Sequence, residues 1–220
     1  MDSWCVPMNR DDLQFFKSSP LFKRLLILTA LEHNPAISQH TLAHEVGLTS
    51  SMINNYIRDL SENRLISVKG TTNRSMSYNL TPKGIREKMS LLVSYNLETT
   101  VLYMEAKKEF ALRLQKIYGE GIHRAVLFGA GETAEIIYNA SQSLKLEIIG
   151  IVDNDPAKQE KLFGNLIIKA PSCIEELQPD GVIIASVGRQ DEIYKQIAVL
   201  TNQGIAVKKI GSTLNGLNGN

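Results

Sequence analysis

The chain has 220 residues, 43% of them hydrophobic and 21% charged, with a formal net charge of +1. These values fit a soluble protein of two modest domains, or one of ordinary enzyme size. They exclude a membrane helix, because no apolar run approaches about 20 residues. The two cysteines, Cys5 and Cys173, lie too far apart in sequence to suggest a disulfide framework or a zinc cluster. No basic stretch followed by an apolar core opens the chain, so no signal peptide is expected and a reduced, cytoplasmic setting follows. The near-neutral total conceals a split. Residues 1–96 hold 11 Lys and Arg against 8 Asp and Glu, whereas residues 125–220 hold 8 against 11. The two halves are expected to meet different partners.

In chain order, Asp11–Lys17 reads as a short helix, and Ser18-Ser19-Pro20 has the form of a helix cap with proline at the first helical position. From Leu21 to Leu31, the residues Phe22, Leu25, Leu26 and Thr29 recur at helical spacing and are expected to be buried, with an end near Asn34-Pro35. Ser38 then caps a helix over Gln39–Val46, with Leu42, Ala43 and Val46 inward. After the turn at Gly47-Leu48, Thr49 caps a further helix over Ser50–Asn63, whose core side carries Ile53, Tyr56, Ile57 and Leu60. Two short helices joined by a glycine-containing turn make a helix-turn-helix. Leu65–Lys69 and Ser77–Leu80 alternate like paired strands around the polar loop Gly70–Ser75, as in a hairpin wing.

Residues 20–90 resemble the winged-helix domain of MarR-type transcriptional regulators. The likeness rests on Leu42-Ala43-x-x-Val46-Gly47-Leu48, on Leu60-Ser61-Glu62-Asn63-Arg64-Leu65-Ile66, and on Tyr78-Asn79-Leu80-Thr81-Pro82-Lys83-Gly84. It implies a DNA-binding module. In a helix-turn-helix the second helix enters the major groove with its N-terminal residues nearest the bases. That makes Thr49, Ser50, Ser51, Asn54, Asn55 and Arg58 the candidate base and phosphate contacts, with Lys69 and Arg74 on the wing suited to the backbone or minor groove. The bland alternative is the solvated face that every amphipathic helix possesses.

From Thr81 the chain is helical to about Tyr118, with Ser94–Glu98 a place where it could break. Ile85, Met89, Leu92, Leu97, Val101, Met104, Ala111, Leu114 and Ile117 fall at three- and four-residue steps. Such a stripe serves equally as a homodimer seam or as packing within the chain. The expected domains are a winged helix over 1–96, a linking or dimerisation helix over 97–121, and a third segment over 122–220. That last segment alternates strand and helix. Strands are expected at Ala125–Phe128, Glu147–Val152, Leu166–Ile168, Val182–Ser186 and Ala206–Ile210, and helices at Glu132–Ser143, Cys173–Leu177 and Gln190–Gln203. The fold class is therefore an α+β winged helix-turn-helix followed by an α/β, Rossmann-like, doubly wound parallel sheet of about five strands.

Between the first strand and helix of this segment lies Gly129-Ala130-Gly131-Glu132-Thr133-Ala134, a dinucleotide-binding fingerprint in its alanine-ended form. The first glycine permits a tight turn and the second lets backbone approach a pyrophosphate. The small third residue allows close helix–strand packing, and phosphate meets the free N–H groups of the helix start. About twenty residues on, a strand ends in Asp153, where a carboxylate would accept ribose hydroxyls, with Asn154 beside it. Ligands sit at the carboxyl ends of strands, so Ser186, Val187, Gly188 and Arg189 after the fourth strand complete the candidate cofactor site. Residues 124–210 resemble the soluble Rossmann domain of sugar-nucleotide and polysaccharide-biosynthesis proteins, through Gly150-Ile151-Val152-Asp153-Asn154-Asp155-Pro156 and Gly164-Asn165-Leu166-Ile167. The order of parts resembles the redox-sensing repressor Rex, without Rex's evident C-terminal exchanged helix.

No catalytic constellation is apparent. Tyr103 and Lys107 have a reductase spacing but precede the glycine loop, and His40 and His44 lack a third metal ligand. The chain beyond the fifth strand is short for a substrate domain. The expected protein is thus a homodimeric DNA-binding transcriptional regulator, not an enzyme, that senses NAD(H) or a nucleotide sugar and controls polysaccharide-biosynthesis genes. The alternative is a sugar-nucleotide-modifying enzyme or subunit, with the winged helix as a protein-interaction module. Neither a metal nor a membrane partner is expected.

Overall fold

The computed structural model describes residues 19–70, 72 and 75–211. Cys5, the helix expected over Asp11–Lys17, the wing residues Thr71, Asn73 and Arg74, and residues 212–220 lie outside them. The chain divides into two compact units, Met1–Thr100 and Val101–Asn220.

In the first unit, α1 (Pro20–His33), α2 (Gln39–Glu45) and α3 (Ser50–Glu62) each begin at a side-chain cap. Ser19, Ser38 and Thr49 accept the N–H groups of Phe22, Thr41 and Met52 respectively. The strands β1 (Ile66–Lys69) and β2 (Ser77–Leu80) pair antiparallel, with Ile66 opposite Leu80 and Lys69 opposite Ser77. Leu28, Leu31, Leu42, Ile53, Leu60 and Tyr78 lead the core. The buried face of α1 is turned from the one its spacing suggested. Leu25, Ile27, Leu28 and Leu31 are buried and Thr29 faces solvent, because the aliphatic residues remove more apolar area from water.

The wing closes onto α4 (Pro82–Gly119) through backbone contacts. Thr81 donates its N–H to the Leu65 carbonyl at 3.0 Å, and its Oγ1 donates to Arg64 O at 2.7 Å while accepting the Gly84 N–H at 3.1 Å. A Cβ on Gly84 would stand 1.9 Å from Leu65 O, so only a bare backbone lets the helix start lie against the wing base. Lys83 Nζ donates to Asn63 O at 2.9 Å, covering the carbonyl end of α3. Arg24 pairs with Asp59 at 2.8 Å and Glu87 at 3.4 Å, joining α1, α3 and α4.

The 38-residue α4 is continuous, with no break at Ser94–Glu98. Thr99 and Thr100 occupy the helix with their hydroxyls donating to Tyr95 O and Asn96 O. Its stripe divides. Leu114 and Ile117 are buried in the second unit, whereas Ile85, Met89, Leu92, Val93, Leu97, Val101 and Met104 are exposed.

The second unit is a six-stranded sheet ordered β5-β6-β4-β3-β7-β8. β3 (Arg124–Phe128), β4 (Glu147–Val152), β6 (Leu166–Lys169), β7 (Gly181–Ile184) and β8 (Ala206–Lys209) run parallel. β5 (Leu162–Phe163) was not anticipated. It forms an antiparallel hairpin with β6 and raises the strand count from five to six. Alternation along the central strands feeds two cores. Ala125, Leu127 and Ile183 meet α5 (Glu132–Ser141) and the end of α4 on one face. On the other, Val126, Phe128, Val182 and Ile184 meet Ile174 of α6 (Ile174–Leu177) and Ile193 of α7 (Gln190–Ile197). Both faces of β3 and β7 are covered, which is why these strands read as unbroken apolar runs. The order reverses at β3, between β4 and β7, and the glycine loop lies there.

Candidate functional sites

In the first unit, Ile53, Ile57 and Leu60 are buried while Thr49, Ser50, Ser51, Asn54, Asn55 and Arg58 are all exposed. The six predicted contacts thus share one solvent-facing surface of α3. The Thr49 hydroxyl is partly used, since it accepts the Met52 N–H at 3.3 Å. Arg58 donates to Asn55 Oδ1 at 3.1 Å, which aims the guanidinium along the helix surface. Lys69 is exposed at the end of β1, and Arg74 lies outside the described residues. Gln39 on α2 donates to the hydroxyl of buried Tyr78 at 3.1 Å, tying the first helix of the motif to the wing. His40 and His44 are exposed, and among the described residues no group of three or more His, Cys, Asp or Glu is placed to hold a metal.

In the second unit the glycine loop follows β3. Gly129 adopts φ +102°, which requires glycine, and a Cβ there would make a close approach of 3.0 Å to Ser186 Cβ. Its N–H donates to Val152 O at 2.8 Å, pinning the turn against β4. Ala134 is buried against the sheet, as the third position of the fingerprint demands. Gly131 is different. It caps α5 at φ −122°, a conformation open to any residue, and a Cβ there would meet nothing within 4 Å. Among the described residues no contact requires a glycine at 131. With no side chain of its own, Gly131 makes no side-chain cap hydrogen bond to the start of α5. Glu132 is exposed and Thr133 half-buried on that first turn.

Asp153 ends β4 as expected, but its side chain turns toward the loop. Oδ2 accepts the Ala130 N–H at 2.7 Å and Oδ1 accepts the Asp155 N–H at 2.9 Å. Lys158 Nζ stands 3.4 Å from Oδ2. Burial alone would raise this carboxyl. The N–H groups of Asp155 and Ala130, with the Lys158 ammonium, outweigh burial and hold it below the ordinary aspartate value. Lys158 is the site residue that sequence reasoning missed; its one signal was a basic residue just past the Asp-Asn-Asp-Pro turn. Asn154 exchanges two amide hydrogen bonds with Gln196 of α7, at 2.8 and 3.0 Å. Across the loop, Ser186 is half-buried beside Gly129, and Val187 and Gly188 are exposed. Arg189 is paired with Glu192 at 2.9 and 3.0 Å, and that carboxylate foremost, with a smaller contribution from Asp153, raises its guanidinium above the ordinary value. The structure therefore places the predicted residues of the loop, the β4 end and the β7 end together at the carboxyl ends of three adjacent parallel strands. Tyr103 stands apart from them, accepting a hydrogen bond from Asn139 at 3.0 Å.

Residues 23–67 match the family model of winged helix-turn-helix DNA-binding domains. Residues 121–210 match the model described as C2185-like, N-terminal. Comparison with curated proteins returned no match. Similar solved structures include a MarR-family protein of Mycobacterium tuberculosis in complex with salicylic acid, at 19% identity over 43% of this chain and 75% of that one, TM-score 0.34. The PcaV transcriptional regulator of Streptomyces coelicolor, in complex with its natural ligand, is 25% identical over 44% of this chain and 72% of its own, TM-score 0.35. A variant of Staphylococcus aureus MepR bound to an oligodeoxyribonucleotide is 18% identical over 44% and 77%, TM-score 0.32. Among the described residues no helix is long and apolar enough to cross a membrane.

Proposed function

We propose that this chain is a transcriptional regulator that binds operator DNA through its winged helix and senses a nucleotide-containing ligand, NAD(H) or a nucleotide sugar, in its second unit. The observation that carries the DNA reading is the clean division of α3 into a buried aliphatic side and one exposed face holding Ser50, Ser51, Asn54, Asn55 and Arg58. Asn and Arg are the side chains that read adenine and guanine edges in two places at once. The ligand reading is supported by Gly131, a glycine that no contact among the described residues requires, placed where the strand order reverses. Counting from β3, the parallel strands follow the 3-2-1-4-5 order of dinucleotide-binding sheets, whose ligands lie at that reversal.

Binding, not turnover, is the proposed role, with control of polysaccharide-biosynthesis genes inferred from the sugar-nucleotide likeness. The exposed apolar residues of α4 suit a second copy of the chain, which would give the two recognition helices an inverted-repeat operator requires. The test is fluorescence anisotropy of the full chain on duplexes selected from a random library. A selected site bound at least about a hundredfold tighter than scrambled duplex, with affinity falling steeply with salt, is the expected result. Equal affinity for all duplexes would overturn the regulator reading.

A further inference from the structure

Lys158 lies on the turn after Asp153-Asn154-Asp155-Pro156, and its ammonium shares one acceptor with the glycine loop. Asp153 Oδ2 takes the Ala130 N–H at 2.7 Å and faces Lys158 Nζ at 3.4 Å. The two contacts differ in kind. Charge-assisted N–H···O bonds run about 2.7–2.9 Å, so the carboxylate is committed to the loop while the lysine only leans on it. An ammonium has three donors, and among the described residues Asp153 Oδ2 is the one side-chain acceptor within reach. The Lys158 side chain is 31% exposed and that of Asp153 12%, so the lysine occupies the solvent side of the pair. The second carboxylate oxygen holds the Asp155 N–H at 2.9 Å. A ribose would have to reach a carboxylate that is nearly enclosed and already holds two backbone N–H groups.

The helix start alone is a weak anion cradle here. Glu132 and Glu135 in the first turn of α5 offset the partial positive charge of its N-terminus. Arg189 is occupied by Glu192. Lys158 is then a positive charge held beside the glycine loop through the carboxylate that both share.

We propose that Lys158 is the phosphate-binding side chain of this site and Asp153 a positioning residue that fastens the glycine loop. The ligand class is thereby a phosphate ester read through its phosphate, with the ribose 2′ position unread. This rests on the nucleotide reading above. On binding, the ammonium turns from Asp153 Oδ2 to a phosphate oxygen, while Asp153 stays with Ala130.

Isothermal titration of the full chain with NADH, NADPH, UDP and inorganic pyrophosphate tests it, on the wild type, Lys158→Met and Lys158→Arg. Lys158→Met is expected to weaken every probe that the wild type binds by about tenfold to a hundredfold. Lys158→Arg restores most of the loss, and NADH and NADPH differ by less than about threefold. Melting temperatures of both variants should match the wild type, since the bridge is partly exposed and long. Unchanged affinity in Lys158→Met, with the wild type binding, overturns the Lys158 assignment and leaves the nucleotide reading intact. Rejection of NADPH by about thirtyfold or more relative to NADH overturns the ribose half, returning Asp153 to sugar recognition. A wild type that binds none of the four probes overturns the nucleotide reading and this proposal together.

Discussion

Replacing Gly84 with alanine separates two effects of opposite sign. Gly84 sits inside the first turn of α4, where alanine is worth about 1 kcal/mol over glycine by helix propensity. A residue that merely happened to be glycine would therefore yield a stabilised protein. The added Cβ, however, would stand 1.9 Å from Leu65 O, with Leu65 C at 2.9 Å. Both are backbone atoms, so no rotamer change relieves the clash; α4 or the β1 entry must move. The same Leu65 carbonyl accepts the Thr81 N–H at 3.0 Å, and displacing it loosens that bond. One hydrogen bond at about 1 kcal/mol and an overpacking cost of about 1–3 kcal/mol outweigh the propensity gain. The net is a destabilisation of about 1–3 kcal/mol. At about 4–8 °C per kcal/mol for a unit of this size, the melting transition of the winged helix should fall by at least about 4 °C. Calorimetry of the full chain reads it, with Gly47→Ala as the comparison. That change carries only the strain of φ +65°, because its Cβ would meet open space. A melting temperature for Gly84→Ala equal to or above wild type would refute the close approach of α4 to the wing base.

Arg58→Ala should weaken binding to the selected duplex by about 1–3 kcal/mol with relaxed specificity, whereas Lys69→Ala should weaken all duplexes alike and lower the salt slope by about one, both read by anisotropy. Leu97→Asp, at an exposed apolar position of α4, should shift sedimentation from dimer to monomer at micromolar concentration without lowering the melting temperature; an unchanged sedimentation coefficient would place the copies elsewhere. Acid stability of the second unit should follow Asp153 and Asp180. In Asp153 the N–H groups of Asp155 and Ala130 overcome burial, and in Asp180 the N–H groups of Arg124 and His123 hold the carboxyl low. Both folded values lie below the unfolded one, so the stabilisation is complete above about pH 4 and is lost as pH falls through the folded values. Asp180→Asn should therefore flatten the decline in melting temperature below about pH 4, and an unaltered pH profile would contradict the assignment.

Local chemistry was legible, and contacts distant in sequence were not. The caps at Ser19, Ser38 and Thr49 stand where a small hydroxyl residue preceded an apolar repeat, because a cap depends on four consecutive residues alone. The glycine loop was equally visible, since turn geometry at Gly129 and packing at Ala134 are written into adjacent residues. The face of α1 was misread where Leu25, Leu26, Ile27 and Leu28 run together, since periodicity loses its direction when every position is apolar. β5 escaped because two residues carry no alternation. The role of Asp153 was half legible. Its place at the strand end follows from spacing, but the turn of its carboxylate toward Ala130 is a contact 23 positions apart that only the assembled sheet creates.

The central position of β3 also has a consequence for how the protein is made. Its partner β4 lies close behind in the chain, but its other partner, β7, begins 53 residues after β3 ends, at Gly181. As the polypeptide leaves the ribosome, β3, α5 and β4 can pair first, and Asp153 can strap the glycine turn at that stage. Ser186, the wall against which Gly129 is fitted, arrives only with β7. The long loop closure makes that step the slow one. A nascent chain would thus carry half a ligand site, with one edge of β3 unpaired, until residues 181–186 have emerged. A phosphate ester that engages the early half would lower the barrier to completing it, so the molecule proposed as a signal would also act as a template for folding.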